Sequence, residues 1–284
     1  MRKLLQKPLK LRIFLMDERV LERMVARSVR TVKSSGALAL AAGSVFVTAI
    51  FWIVLRVLLG GIGGVFRLPM VFLTASVSLL PVILIIVPLS SWCLSVRSGH
   101  EPLLLHEGLH QRWKHSAALF LYGLFVAVCE LFLGVFVAVW CGIEAIPVFG
   151  PAVYLFFSWV PTVVTLLMGV LLFLHLIVCL SAGPMLAQTP TIEQKGLFAT
   201  IPMLLRRDWV QRIKFLIVGS IPTIVLYCAT TIWTMKGLPQ GVEFCASIFR
   251  AAAFSILEAP LLLFLIHMAV EADRYIQWLA SRRV

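Results

Sequence analysis

AVYLFFSWVPTVVTLLMGVLLFLHLIVCLSAGPMLA, residues 152–187, contains no Asp, Glu, Lys or Arg. A hydrocarbon layer about 30 Å thick is crossed by about 20 helical residues, so a run of 18 or more apolar residues reads as a membrane span. This run is too long for one straight span, and it is expected to break near Pro161 or to tilt. Five more such runs occur, at 37–59, 68–96, 116–141, 212–235 and 244–271. The expectation is an all-α polytopic membrane helical bundle with six transmembrane helices.

Composition agrees. The 284 residues are 61% hydrophobic and 13% charged, against about 25% charged in a soluble domain. Three segments follow: a basic amphipathic cytoplasmic segment at 1–36, the six-helix transmembrane domain at 37–271, and a basic cytoplasmic tail at 272–284. No stretch between the runs is long enough for an independent soluble core. The first run is longer than a signal-peptide core and follows 36 residues rich in charge, so it is expected to be retained.

The net charge is +12, which raises the question of nucleic acid. Its distribution answers against it. Lys and Arg number 21 in residues 1–36, 97–115, 188–214 and 272–284, against 3 (Arg56, Arg67 and Lys236) on the alternate side. By the positive-inside rule both termini and the 97–115 and 188–214 loops are cytoplasmic. The expected partners are the lipid bilayer and anionic lipid headgroups at the cytoplasmic face, with no nucleic acid.

Residues 18–33, ERVLERMVARSVRTVK, have helical periodicity, with Val20, Leu21, Met24, Val25, Val29 and Val32 on one face and Arg19, Arg23, Arg27, Arg30 and Lys33 over the rest. Such a helix is expected to lie on the inner leaflet. Two later segments resemble each other: LHQRWKHSAALFLYG (109–123) and LRRDWVQRIKFLIVG (205–219) share Leu, Trp and Gly at equal offsets. Each is a basic interfacial helix with a Trp leading into a span. The chain thus reads as three units of surface helix plus membrane hairpin. The six Cys all lie in or beside spans and read as small buried hydrophobes. Cys141 and Cys245 fall near the outer ends of their helices, and no spacing rule pairs them.

The loops RSGHEPLLLHEGLHQRW (97–113) and MLLRRDWVQRIKFLIVG (203–219), set between paired spans, resemble those of YciC-type six-helix bacterial membrane proteins. The resemblance covers about residues 37–271. It implies a helical bundle of the bacterial cytoplasmic (inner) membrane and no assigned reaction.

HEGLH at 106–110 fits H-E-x-x-H, in which two His one helical turn apart bind zinc and the Glu is general base. The candidates are His106, Glu107 and His110. Two spans before it, two after, and EADR at 271–274 resemble HtpX-type membrane zinc proteases. The chain departs from that pattern in several places. Ala269 stands where the Glu ligand would fall, EADR follows six spans rather than four, and Gly108 weakens the helix by about 1 kcal/mol. Glu130 would lie about 30 Å from His110 along a continuous helix. Glu193 and Glu271 remain on the correct side. The expectation is a polar interfacial helix without metal or other cofactor.

Ionisable residues within spans mark functional positions. Here they are Glu130, His175, Arg250 and Glu258. Read as one site, Glu258 accepts a proton or cation, Arg250 is its counter-ion, Glu130 and His175 stand nearby, and Pro260 frees the Ile256 carbonyl. Read structurally, they tie the third and sixth spans together. The expected function is non-enzymatic, a scaffold or envelope-associated membrane protein. A transporter acting at Glu258 and Glu130 is second, and an H-E-x-x-H zinc metalloprotease third.

Overall fold

The structure, a computed structural model, describes residues 18–31, 35–59, 67–98, 105–144, 146–147, 150–188, 209–232 and 240–281. All regular structure among them is helical. The lipid interior offers no water to backbone N–H and C=O groups, so an apolar segment there satisfies them along its own helix. The elements are α1 (Glu18–Thr31), α2 (Ser35–Leu59), α3 (Arg67–Ser78), α4 (Leu80–Ser98), α5 (Leu105–Glu144), α6 (Gly150–Phe157), α7 (Val160–Gln188), α8 (Trp209–Ile232) and α9 (Gln240–Ser281). Among the described residues, five stretches are long and apolar enough to cross a membrane: Gly36–Leu59, Arg67–Val96, Arg112–Glu144, Val160–Gln188 and Cys245–Trp278.

Prolines explain where the long runs bend. The 152–187 run divides between Phe157 and Val160, immediately before Pro161. The 68–96 run bends at Leu79, two residues before Pro81, and Leu79 N–Ala75 O (3.1 Å) and Ile83 N–Leu79 O (3.0 Å) carry the hydrogen bonding across the joint. Pro88, Pro184, Pro222 and Pro260 sit inside α4, α7, α8 and α9 without ending them.

α9 is the hub. It packs against α2, α8, α4, α7 and α1, and its Ala259, Leu262, Leu263, Ile266 and Val270 form a core with Ala37, Ala41, Leu89 and Trp92. α5 stands at the rim, against α3, α4 and α7. Its buried stripe is Ser116, Leu119, Gly123, Val126, Glu130, Gly134 and Val137, spaced three and four apart, while Leu121, Phe125, Val128, Phe132 and Phe136 are exposed. An apolar outer face of this kind has the composition that a membrane-spanning helix turns to lipid.

α1 docks on α9 rather than presenting the whole expected apolar stripe elsewhere. Met24 joins Phe215, Met268 and Ala272 in one cluster. The buried positions are Met24 and Ser28, and Val29, placed on the apolar face by its sequence, is exposed. The side chains of Val20, Leu21 and Val32 lie outside the described residues.

The two glycines matched in the sequence repeat do the same work. A Cβ on Gly123 would stand 3.1 Å from both Ile83 Cδ1 and Leu80 Cδ2, and one on Gly219 would stand 2.9 Å from Leu265 Cδ1. Each lets a neighbouring helix close in, the role small residues take where lipid supplies no hydrophobic drive between helices.

Aromatic side chains bracket the bundle. At the end where α5 begins stands exposed Trp113, and at the end where α9 finishes Tyr275 stacks on Trp278 at 5.9 Å. At the far end Trp140 packs on Phe136 and Phe157, each 6.1 Å away, and Trp159 is exposed nearby in sequence. Trp113 and Trp140 are 27 residues apart on one helix, about 40 Å at 1.5 Å per residue. That matches a bilayer with its headgroups, about 40–45 Å.

A Cβ on Gly183 of α7 would collide with Ile86 of α4, whereas one on Gly43 would meet nothing within 4 Å. Gly183→Ala is therefore expected to destabilise the fold by about 1–3 kcal/mol through overpacking. Gly43→Ala is expected to be neutral or to stabilise by up to about 1 kcal/mol through helix propensity. Unfolding in mixed detergent micelles measures both.

Candidate functional site at the basic end of the bundle

The last turns of α9 carry Glu271 and Asp273 into the interior, with 2% and 1% exposure. An ionised carboxylate out of water costs several kcal/mol unless it is paired and hydrogen-bonded. Asp273 has both. Arg212, near the start of α8, reaches its Oδ1 at 2.6 Å. Gln188, the last residue of α7, donates to Oδ2 at 3.0 Å, and Gln277, one turn on, donates to the same oxygen at 2.8 Å and to Gln188 Oε1 at 2.9 Å. Three helices thereby close on one carboxylate.

α1 joins from the other side. Ser28 Oγ donates to Met24 O at 2.9 Å and stands 2.8 Å from His267 Nδ1. With the hydroxyl proton on the Met24 carbonyl, the imidazole N–H is the donor to Ser28. Arg27 Nη1 stands 3.9 Å from Glu271 Oε2. Arg27 is largely exposed while Glu271 is buried, and 3.9 Å is long for an ion pair. The buried Ser28–His267 bond and Met24 fix the helix.

The sequence reading weighed Glu271 only as a metal ligand. It missed Ser28, Gln188, Arg212, Asp273 and Gln277. A signal existed. Asp273 and Gln277 share a helix face at i and i+4, and Gln188 and Arg212 are the polar residues at the ends of the two preceding runs. All four therefore sit at one depth once the hairpins form.

The intramembrane candidates do not converge. Glu130 is fully buried on α5, and neither carboxylate oxygen has a hydrogen-bond partner among the described residues. Ser76 of α3 is the neighbouring hydroxyl, and its Oγ is also without one. His175 of α7 packs on the Tyr122 ring, centroids 5.5 Å apart, with Cys179 Sγ 3.7 Å from Nδ1. It meets α5 at Gly123, two turns or about 10 Å from Glu130 along the axis. Glu258 is buried on α9 beside Thr223 of α8, its Oε2 without a partner among the described residues.

Arg250 does not pair with Glu258. It is exposed, its Nε donates to Ala246 O at 3.3 Å, and eight residues of helix, about 12 Å, separate the two. α5 and α9 are not among the closely packed helix pairs. The expected polar tie between the third and sixth spans is therefore replaced by separate seams, α3–α5 for Glu130 and α8–α9 for Glu258.

His106, Glu107 and His110 fall in the first turns of α5, and their side chains, like Glu193, lie outside the described residues. α5 runs unbroken from Leu105 to Glu144, so Glu130 is held about 30 Å from His110 and is no ligand for a metal there. Among the described residues no group of three His, Cys, Asp or Glu is placed to hold a metal ion. Cys141 and Cys245 are free thiols.

Comparison with protein-family models, with curated proteins and with solved structures gives no match.

Arg212→Met leaves Asp273 buried beside amide donors alone. Removing one partner of a buried pair costs about 3–5 kcal/mol, and a loss of that size is expected in detergent unfolding. Arg27→Met, at a 3.9 Å contact made by an exposed guanidinium, is expected to cost less than Arg212→Met in the same measurement.

Proposed function

We propose that this chain is a six-span protein of the bacterial cytoplasmic membrane, with both termini inside, that serves as a non-enzymatic scaffold or assembly protein of the envelope. α8 is the sixth span. It is a 24-residue apolar helix packed antiparallel along α9, with Arg212 at Asp273, Gly219 at Leu265 and Met268, and Thr223 at Glu258. The Lys- and Arg-rich segments adjoin the end that carries the Asp273 network, which supports that end as cytoplasmic.

The depth of Arg250 supports the same frame. It lies 28 residues from Trp278 on α9, about 42 Å, and so reaches the opposite headgroup layer, where an exposed guanidinium belongs.

The observation that carries the scaffold reading is the sealing of the intramembrane carboxyls. Glu130 and Glu258 are buried in different helix seams, while the elaborated polar network lies at the basic end and locks α1, α7, α8 and α9 together. Polar groups arranged in this way hold a shape and serve no shared path.

Glu258→Gln separates this reading from transport. The scaffold reading expects reduced abundance or a lower unfolding midpoint in the variant, with no pH-driven flux in proteoliposomes of either protein. Wild-type flux that disappears in a normally abundant Glu258→Gln protein overturns it. Reporter fusions after Val284 and within 233–239 are expected to report cytoplasmic and external positions respectively.

A further inference from the structure

Between α3 and α7, at the end away from the Asp273 network, an open groove of roughly 350 Å³ is lined by Leu68, Phe72, Thr165, Leu166, Gly169, Val170 and Phe173. Its surface is almost wholly apolar. The one hydroxyl, Thr165 Oγ1, is turned to Pro161 O at 2.7 Å, so it offers little to water. An apolar hollow without convergent polar groups does not hold ordered water.

Gly169 makes the hollow. A Cβ there would stand 3.3 Å from Phe72 Cζ, so the absent side chain leaves the Phe72 ring as the floor. Leu68, Leu166, Val170 and Phe173 are exposed around it, on the wall that faces lipid. From Thr165 to Phe173 the groove follows α7 for about 12 Å.

A cation adjoins the groove in sequence. Arg67, next to Leu68, is exposed, makes no hydrogen bond or ion pair with a described residue, and has no acidic residue in the first turn of its own helix. Its depth follows from the helix register. Met70 Cε lies 3.7 Å from the position of a Cβ on Gly134. Arg67, one turn beyond Met70, is therefore near the level of Val137, within about 5 Å of Trp140 along α5. An unpaired guanidinium in the interfacial aromatic belt lies at the depth of lipid phosphates, and arginine matches phosphate with a fork of donors.

We propose that the α3–α7 groove is a phospholipid site of that leaflet, with one acyl chain laid over Gly169 and Phe72 and the phosphate held by Arg67. Shape excludes a polar ligand from the groove, and charge selects a phosphate-bearing lipid over a neutral one.

The test is native mass spectrometry of the purified full chain, titrated with phosphatidylglycerol and with diacylglycerol of the same chains. The first phosphatidylglycerol is expected to bind about tenfold or more tighter than diacylglycerol, the scale of a charge-assisted hydrogen bond. Arg67→Gln is expected to reduce phosphatidylglycerol to the diacylglycerol level, Gly169→Leu to weaken both, and Arg250→Gln to leave the preference unchanged. Should Gly169→Leu fail to fold, wild-type protein is photolabelled with phosphatidylglycerol carrying a diazirine in its acyl chain. Label on 67–78 and 160–173 that excess phosphatidylglycerol, but not diacylglycerol, displaces supports the site. Equal affinity for the two lipids, an unchanged preference in Arg67→Gln, label spread evenly over the exposed helices, or a lipid-free dimer using this groove overturns it.

Discussion

A carboxylate at the end of a membrane bundle is tolerable only when every one of its neighbours is in register. Asp273 meets that condition through Arg212, Gln188 and Gln277. The consequence is positional. A one-residue slide of α8 against α9 would draw Arg212 away and leave the charge buried with only the Gln188 and Gln277 amides, at a cost of several kcal/mol. The same register brings Gly219 against Leu265 and Thr223 beside Glu258. α7 is set by its last residue, and α1 is added through Ser28 and Met24 on the adjoining face of α9. Dispersion holds the spans together over their length, but apolar packing alone distinguishes poorly between neighbouring registers, and the polar end selects one.

Away from that end, the chain manages two surfaces. The outer faces of α5 and α7 are large and apolar, as lipid requires. The inner faces are narrowed by small residues where helices cross, at Gly123, Gly183 and Gly219, because close approach increases dispersion where burial gains nothing from water. Polar side chains fall into the seams left between. Several hydroxyls there return to the carbonyl three or four residues back, as Thr74 does to Met70 O at 2.6 Å and Ser44 to Ala41 O at 2.9 Å. Glu130 and Glu258 have no such local partner, which is why their surroundings matter more than their depth.

The helices were largely legible from residue types, and so was the interruption at Pro161. The Leu/Trp/Gly repeat identified two glycines that do prove equivalent in packing. The polar residues were misjudged as a group. Depth can be counted along a sequence, and it puts Glu130 and Glu258 at similar levels, with Arg250 about two turns further out on its helix. Azimuth cannot be counted until the neighbours are known. Arg250 is exposed and Glu258 buried although they lie only eight residues apart on α9, and the chain order of the spans does not say that α5 stands at the rim while α9 stands at the centre.

The sequence by itself determined that this is an apolar helical protein with its positive charge gathered on one set of loops, because hydrocarbon thickness and backbone hydrogen bonding leave few alternatives for runs of that length. Only the tertiary structure decided which polar groups meet. Asp273, Arg212 and Gln188 come from three segments separated by up to 85 residues, and their union depends on helix order, rotation and register. None of those has a local signal, since each is settled by the simultaneous fit of side chains across several helices.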